Sequence, residues 1–342
     1  MRVLLLNWTI DAICGARRYA DELETGFRKR SDTAVEAVDV DASQFWDVWD
    51  GHVPSQYDLY VFTDSVPQHW KDDRYGDWWM ELYRQLHEEI VVAVMHDVWW
   101  EDDREWMLEV TDDIDAVVAP QEPVERSLEL LPVETVLIRH PIDTDRLDLT
   151  DEKRRMIVSA SQIYPRKNVD HLVREVPNLD YEVVVHSEET WEYERMAGAH
   201  ENRAPEYGDI WDRALGHGMR FVGVTPLEQL WDHYRQATFV VDLQSDPSWE
   251  HVINYTQLEP MLFGAVPIVY RDVVNPLMQD HALLVDHHSY LPDVVDSVTE
   301  AELGRLRRRN AEFLLETFDA ELIAGQFFDL AENVSASRTA PV

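Results

Sequence analysis

Lysine is nearly missing from this chain. Only four occur in 342 residues, Lys29, Lys71, Lys153 and Lys167, so 26 of the 30 basic residues are arginine. Cysteine is scarcer still. Cys14 stands alone, which excludes an internal disulfide. Long apolar runs are absent. None approaches the ~20 residues of a spanning helix, and only four apolar residues follow Arg2, too few for a signal peptide. A soluble, cytoplasmic protein is expected, so the sequons at Asn7, Asn254 and Asn333 read as chance matches.

Several chemical signatures are missing as well. No H-E-x-x-H pair, G-x-S-x-G elbow or Walker loop occurs. His287 and His288 are adjacent, so they should point apart, and no patterned acid joins them. Asp102-Asp103 and Asp112-Asp113 read as surface acid. No metal site is expected.

Acid is what the chain has in excess. Sixty-seven acids against 30 bases give a formal net charge of −37. Disorder is excluded by 13 Trp and a hydrophobic content of 45%. An acidic, lysine-poor, folded surface fits a high-salt cytosol, of a host or its virus, where self-repulsion is screened. At moderate salt such a charge repels nucleic acid and anionic membranes. Arg305, Arg307, Arg308 and Arg309 form the largest basic cluster. A DNA acceptor is therefore disfavoured, with modified viral DNA left open.

Short apolar runs alternate with amphipathic stretches, the pattern of parallel α/β layers. The first half predicts strands at 2–7, 35–40, 59–63, 90–95, 116–119 and 135–138. Its helices fall at 15–29, 77–89, 102–109 and 123–130. The second half predicts strands at 156–160, 181–186, 220–222, 239–243, 266–270 and 282–285. Its helices fall at 169–175, 226–236, 255–262 and 300–317. A last helix covers 320–332. Domain boundaries follow: 1–150, 151–317, a C-terminal helix at 318–334 and a flexible tail at 335–342.

The most telling stretch runs from Ser245 to Tyr270. It reads as a loop, a short helix, a Gly264-Ala265 turn and a buried strand that accepts Pro267 at its front. A helix start attracts an anion. Glu259, one turn further in, is better placed to accept hydrogen bonds from a hydroxyl-bearing group such as a ribose. The pair suggests a nucleotide-linked ligand. Thr256-x-x-Glu259 also fits a capping box.

This segment resembles the donor-site motif of retaining GT-B glycosyltransferases of the family 4 type, which is a glutamate, seven residues, a second glutamate and a small-residue turn. Leu258-Glu259-Pro260-Met261 and Phe263 to Val269 match its second half. In the first half His251 stands where the first acid is expected, with Glu250 one place early; either serves. Ile142-Asp143 and Leu147 match the family's hinge-preceding motif, with His140-Pro141 replacing Asn-Gly.

The resemblance implies two Rossmann-like domains facing a central cleft. The implied activity is sugar transfer from a nucleotide-diphosphate donor, with retention and without metal or other cofactor. The implied acceptor is a glycan, a lipid carrier or a small molecule. Lys167 matches the lysine of the family's phosphate loop. The arginine expected five residues earlier is Gln162, and Arg166 supplies a neighbouring charge. The implied catalytic set is Lys167, Arg166, His96 and either Glu250 or His251. Donor binding falls to Glu259, Gly15, Asn254, Thr256 and Leu258. On the acceptor side stand Asp97, Trp99 and Arg17. The altered arginine and displaced acid also admit an inactive scaffold that binds a nucleotide-sugar, glycan or partner protein.

The charge reading makes a direct test. Raising KCl from 0.1 M to multimolar concentration should raise the melting temperature, as carboxylate repulsion is screened. A melting temperature that falls would remove the high-salt assignment.

Overall fold

The computed structural model describes residues 1–8, 15–40, 56–64, 81–96, 108, 111–129, 131–149, 152–161, 163, 167–187, 204–245 and 251–339. The described strands and α-helices run, in chain order, β1 (Arg2–Trp8), α1 (Gly15–Lys29), β2 (Ala34–Val40), β3 (Leu59–Phe62), β4 (Val91–Val94), β5 (Ala116–Ala119), α2 (Glu122–Leu128) and β6 (Glu134–Leu137). Then come β7 (Arg154–Ala160), α3 (Val169–Glu175), β8 (Glu182–His186), α4 (Ala204–Gly216), β9 (Arg220–Phe221), α5 (Leu227–Gln236) and β10 (Ala237–Asp242). The chain closes with α6 (Tyr255–Leu262), β11 (Val266–Tyr270), β12 (Leu283–Val285), α7 (Leu291–Ser297), α8 (Glu300–Thr317) and α9 (Ala320–Thr339).

Two compact units result: Met1–Asp143 with Thr317–Val342, and Thr144–Glu316. The first holds a parallel sheet of order β2-β1-β3-β4-β5-β6. Every residue of β3, β4 and β5 is buried. Their continuous apolar runs are what a sheet covered on both faces requires.

The C-terminal helix belongs to this first unit, because Ile142 and Asp319 form a bridge beside the Ile142 N–H bond to the Phe318 carbonyl (2.7 Å). α9 then packs on α1, with Phe27 5.3 Å from Phe328 ring to ring. Gly26 permits that approach: a Cβ there would lie 2.0 Å from the Ala320 carbonyl oxygen. A tail was expected from residue 335, yet α9 continues to Thr339. Arg338 explains the difference. Its guanidinium pairs with Asp115 and donates to the Glu88 and Glu89 carbonyls.

The second unit holds a parallel sheet of order β12-β11-β10-β7-β8-β9. Counted from its own first strand, this is the doubly wound order 3-2-1-4-5-6. The strand order reverses between β7 and β10, where open α/β sheets bind ligands at their carboxyl ends. One core packs around Ile157, Val185, Phe239, Val241 and Ile268.

The end of α6 shows how sequence sets geometry here. Gly264 has φ +73°, a conformation that suits glycine. Its N–H reaches the Met261 carbonyl, and that of Ala265 reaches Pro260 (both 3.0 Å), closing a Schellman turn. Lys153 donates to the carbonyls of Phe263 and Arg235, and Arg307 to that of Gly264.

Two helices escaped the sequence expectations. α4 carries a proline and two glycines, and α7 is seven residues long with proline in its first turn.

Gly26→Ala should destabilise the protein by about 1–3 kcal/mol through overpacking. Gly15→Ala, with nothing within 4 Å of its Cβ, should not. Urea unfolding of both variants checks the contrast.

Candidate functional site

The carboxyl ends of β7 and β10 are tied together by four consecutive residues. Asp242 ends β10. Its Oδ2 accepts from Gln257 Nε2 (2.8 Å), Thr256 Oγ1 (3.3 Å) and Asn254 Nδ2 (3.5 Å), all at the start of α6. The carbonyl of Leu243 and the hydroxyl of Ser245 accept from Asn168 Nδ2, at 2.8 and 2.5 Å. Gln244 Oε1 accepts from Lys167 Nζ at 2.9 Å. Val241 and Leu243 point into the core, so alternation turns Asp242 and Gln244 to the other face.

Asn168 and His251 are the only non-glycine residues with positive φ among the described residues, at 48° and 67°. Both sit in loops at this edge of the second sheet. Such backbone is uncommon and gathers where function constrains the chain.

Several expected donor residues take specific places. Asn254, not Thr256, is the helix N-cap, so there is no capping box on Thr256 and Glu259. Thr256 instead serves Asp242. Glu259 is the fifth residue of α6 and only 4% exposed. Leu258 is fully buried, so its part is packing rather than ligand contact. Pro260 follows in the helix body, further in than a first-turn proline. His251 Nδ1 lies 2.9 Å from the Val274 carbonyl. A carbonyl only accepts, so Nδ1 is the donor and Nε2 points away from this bond. The expectation that the α6 start is an anion site meets an obstacle: a carboxylate, Asp242, is already bonded to its first side chains.

In the first unit, His96 follows β4 and its Nε2 lies 2.8 Å from the Thr63 carbonyl. Nε2 is therefore the donor and Nδ1 keeps the lone pair. The ring packs edge-on against Tyr19 (4.9 Å) and keeps some exposure, yet the surrounding protein lowers its pKa to about 4. His140 flanks the same tyrosine at 5.9 Å. Burial, then the neighbouring His96 and Arg139, push its pKa down to about 3. Thr63 Oγ1 bonds Asn7 Oδ1 (2.9 Å), joining the ends of β1 and β3, the reversal point of the first sheet. Arg17 pairs with Asp21 and Asp39. Gly15 opens α1 with open space around it and a φ that does not require glycine.

Arg166, Glu250, Asp97 and Trp99 lie outside the described residues. Gln162, where the arginine was expected, does too.

Three findings were not anticipated. Asp242 carried no sequence signal beyond an acid closing an apolar strand. His186, at the end of β8, bonds Thr225 Oγ1 (2.8 Å) and His233 (2.7 Å), and burial lowers its pKa to about 4. His287 and His288 do not point apart. Their rings lie 4.1 Å from each other, and His288 bonds Glu175 at 2.7 Å. Even so, no group of three or more metal-ligating side chains occurs among the described residues. No described helix is long and apolar enough to cross a membrane.

No protein-family model matches the sequence, and no curated protein does. Solved structures do match. An α-glucosyltransferase in complex with UDP-glucose and DNA containing an abasic site superposes with TM-score 0.74 at 13% identity, covering 97% of this chain and 99% of that one. HepE from Anabaena, in complex with UDP and glucose, gives 0.65 at 14% identity over 98% and 100%. AviGT4, a glycosyltransferase involved in avilamycin A biosynthesis, gives 0.65 at 12% over 98% and 98%. The fold is that of the GT-B glycosyltransferases. At such identities the likeness speaks for architecture, two Rossmann-like units, and the expected α/β class holds.

His96 and His140 set a pH dependence. Their folded pKa values lie below the ordinary 6.5, so between about pH 4 and 6.5 the unfolded chain binds more protons. The stability they contribute is complete above pH 6.5 and is lost as pH falls. The urea midpoint should drop from pH 7 to pH 5, and His140→Phe should flatten that drop. An unchanged slope in the variant would contradict the burial-driven shift.

Proposed function

We propose that the protein is a glycosyltransferase that moves a sugar from a nucleotide-diphosphate donor to an acceptor, with retention of configuration. One observation carries the reading. The reversal point of the second sheet, in a fold shared with glycosyltransferases bound to UDP and UDP-glucose, brings together Lys167, Gln244 and the start of the helix bearing Glu259.

The difficulty in this chemistry is the charge that develops on the departing diphosphate. Lys167 meets it, with Arg166 adding charge from the neighbouring position. Gln244 holds the ammonium in place before the donor arrives, which limits reorganisation during the reaction. Glu259 accepts from the ribose hydroxyls. His251, through Nε2, or Glu250 contacts the sugar, and His96 Nδ1 accepts from a sugar hydroxyl. Both histidine rings are oriented by a backbone carbonyl, which fixes the direction of the other ring nitrogen. In a retaining reaction of this class the leaving phosphate itself takes the acceptor proton. No protein nucleophile and no metal is required by this scheme.

Lys167→Ala is expected to lower turnover of a nucleotide-sugar by roughly 10²-fold or more while the melting temperature stays within a few degrees, the loss of one strong transition-state contact. Donor hydrolysis or transfer in multimolar KCl measures it. Near-normal turnover would take Lys167 out of the mechanism. Donor binding without turnover in the parent protein would favour the inactive scaffold.

A further inference from the structure

Among the described residues of the second unit, the buried Ser161 Oγ, Ser187 Oγ and Asp242 Oδ1 have no hydrogen-bond partner. Their residues are 8%, 7% and 3% exposed. Ser161 directly follows β7, Ser187 directly follows β8, and Asp242 is the last residue of β10. These strands are consecutive in the sheet, in the order β10-β7-β8. Ala160 pairs with His186, so the two serines come next at the same level. Val240 pairs with Val158, which puts Asp242 within one residue of that level. Strands stand about 4.8 Å apart, so the row spans about 10 Å.

Leaving one such atom unsatisfied costs about 1–3 kcal/mol. Buried polar groups in native proteins are nearly always bonded, and exceptions call for a cause. Asp242 makes the case sharpest, since Asn254, Thr256 and Gln257 all converge on Oδ2 while Oδ1 receives nothing. A carboxylate oxygen can only accept, whereas a serine hydroxyl can donate. By the pleat, Ser161 and Ser187 continue the face of Ile157 and Val185, and Asp242 the opposite face, so the carboxyl edge of the sheet offers an acceptor on one side and two donors on the other.

We infer that these three atoms contact the donor substrate: Asp242 Oδ1 accepts from a hydroxyl of the bound nucleotide-sugar, and Ser161 and Ser187 donate to its phosphate oxygens. The inference rests on the donor-site reading above. It also accounts for the carboxylate at the α6 start. An acid there repels phosphate and suits a hydroxyl, which leaves the phosphate to the β7 side, where Lys167 and Ser161 lie.

The test is calorimetric titration with UDP-glucose in high-salt buffer, together with ligand-free melting of each variant. Asp242→Asn can keep its three bonds through the amide oxygen and removes only the charged acceptor at the other position. It should weaken binding about 10-fold or more, the value of a hydrogen bond to a charged group. Ser161→Ala and Ser187→Ala should each weaken it about 3- to 10-fold. Ligand-free melting of the two serine variants should hold or rise, because each deletes an unsatisfied atom. Dissociation constants within twofold of the parent in all three variants, with Lys167→Ala still impaired, would overturn this inference alone. So would affinity losses that track lost ligand-free stability. A parent protein that binds none of UDP-glucose, GDP-mannose or ADP-glucose would overturn the donor site itself, and this row with it.

Discussion

Four consecutive residues at the carboxyl end of β10 hold the candidate site of the second unit together. Asp242 grips the start of α6 through three side chains, Leu243 and Ser245 hold Asn168, and Gln244 holds Lys167. Each bond is ordinary in strength. Their value lies in placement, because two loops far apart in sequence are fixed to one short segment at the point where the strand order reverses. That fixation lets Asn168 keep a left-handed backbone without being glycine. A ligand arriving there meets groups already in position, which lowers the ordering cost of binding.

The three described lysines are not spread over the surface in the usual way. Among the described residues, Lys29 pairs with Asp143, Lys153 closes the ends of α5 and α6, and Lys167 sits beside Gln244. Burial and the nearby Arg307 bring the Lys153 pKa down to about 8, so even this cap is close to neutral in mild alkali. In a molecule carrying −37, a compact ammonium is kept where carbonyls or an anion need a point charge. Arginine takes the pairing roles, as in Arg338 with Asp115 and Arg17 with Asp39.

Much of the architecture was legible in the chain. The limits of α1, α3, α6, β5 and β11 fall where periodicity and turn residues put them. Buried parallel strands such as VVAV and AVVA announce themselves through continuous β-branched runs. Gly264 marked the end of α6 because a Schellman turn needs a left-handed residue there. Where composition disguised an element, as in the proline- and glycine-bearing α4, reading failed. The C-terminal segment 335–339 was misread too, since its polar sequence carries no periodic face and its order comes from Arg338.

The candidate site divides along the same line. Lys167 and Glu259 could be picked out because a cation at a loop-to-helix junction and an acid in a helix beside a small-residue turn are local patterns. Asp242 could not, because its importance comes from three partners 12 to 15 residues further along the chain. The bond of His288 to Glu175, and the tyrosine shared by His96 and His140, likewise arise only when strands and helices pack. Local sequence decided the periods, caps and turns, since those depend on neighbours within a few residues. Which buried atoms find partners, and which do not, was decided by tertiary structure, because hydrogen bonding across a sheet edge depends on strand order.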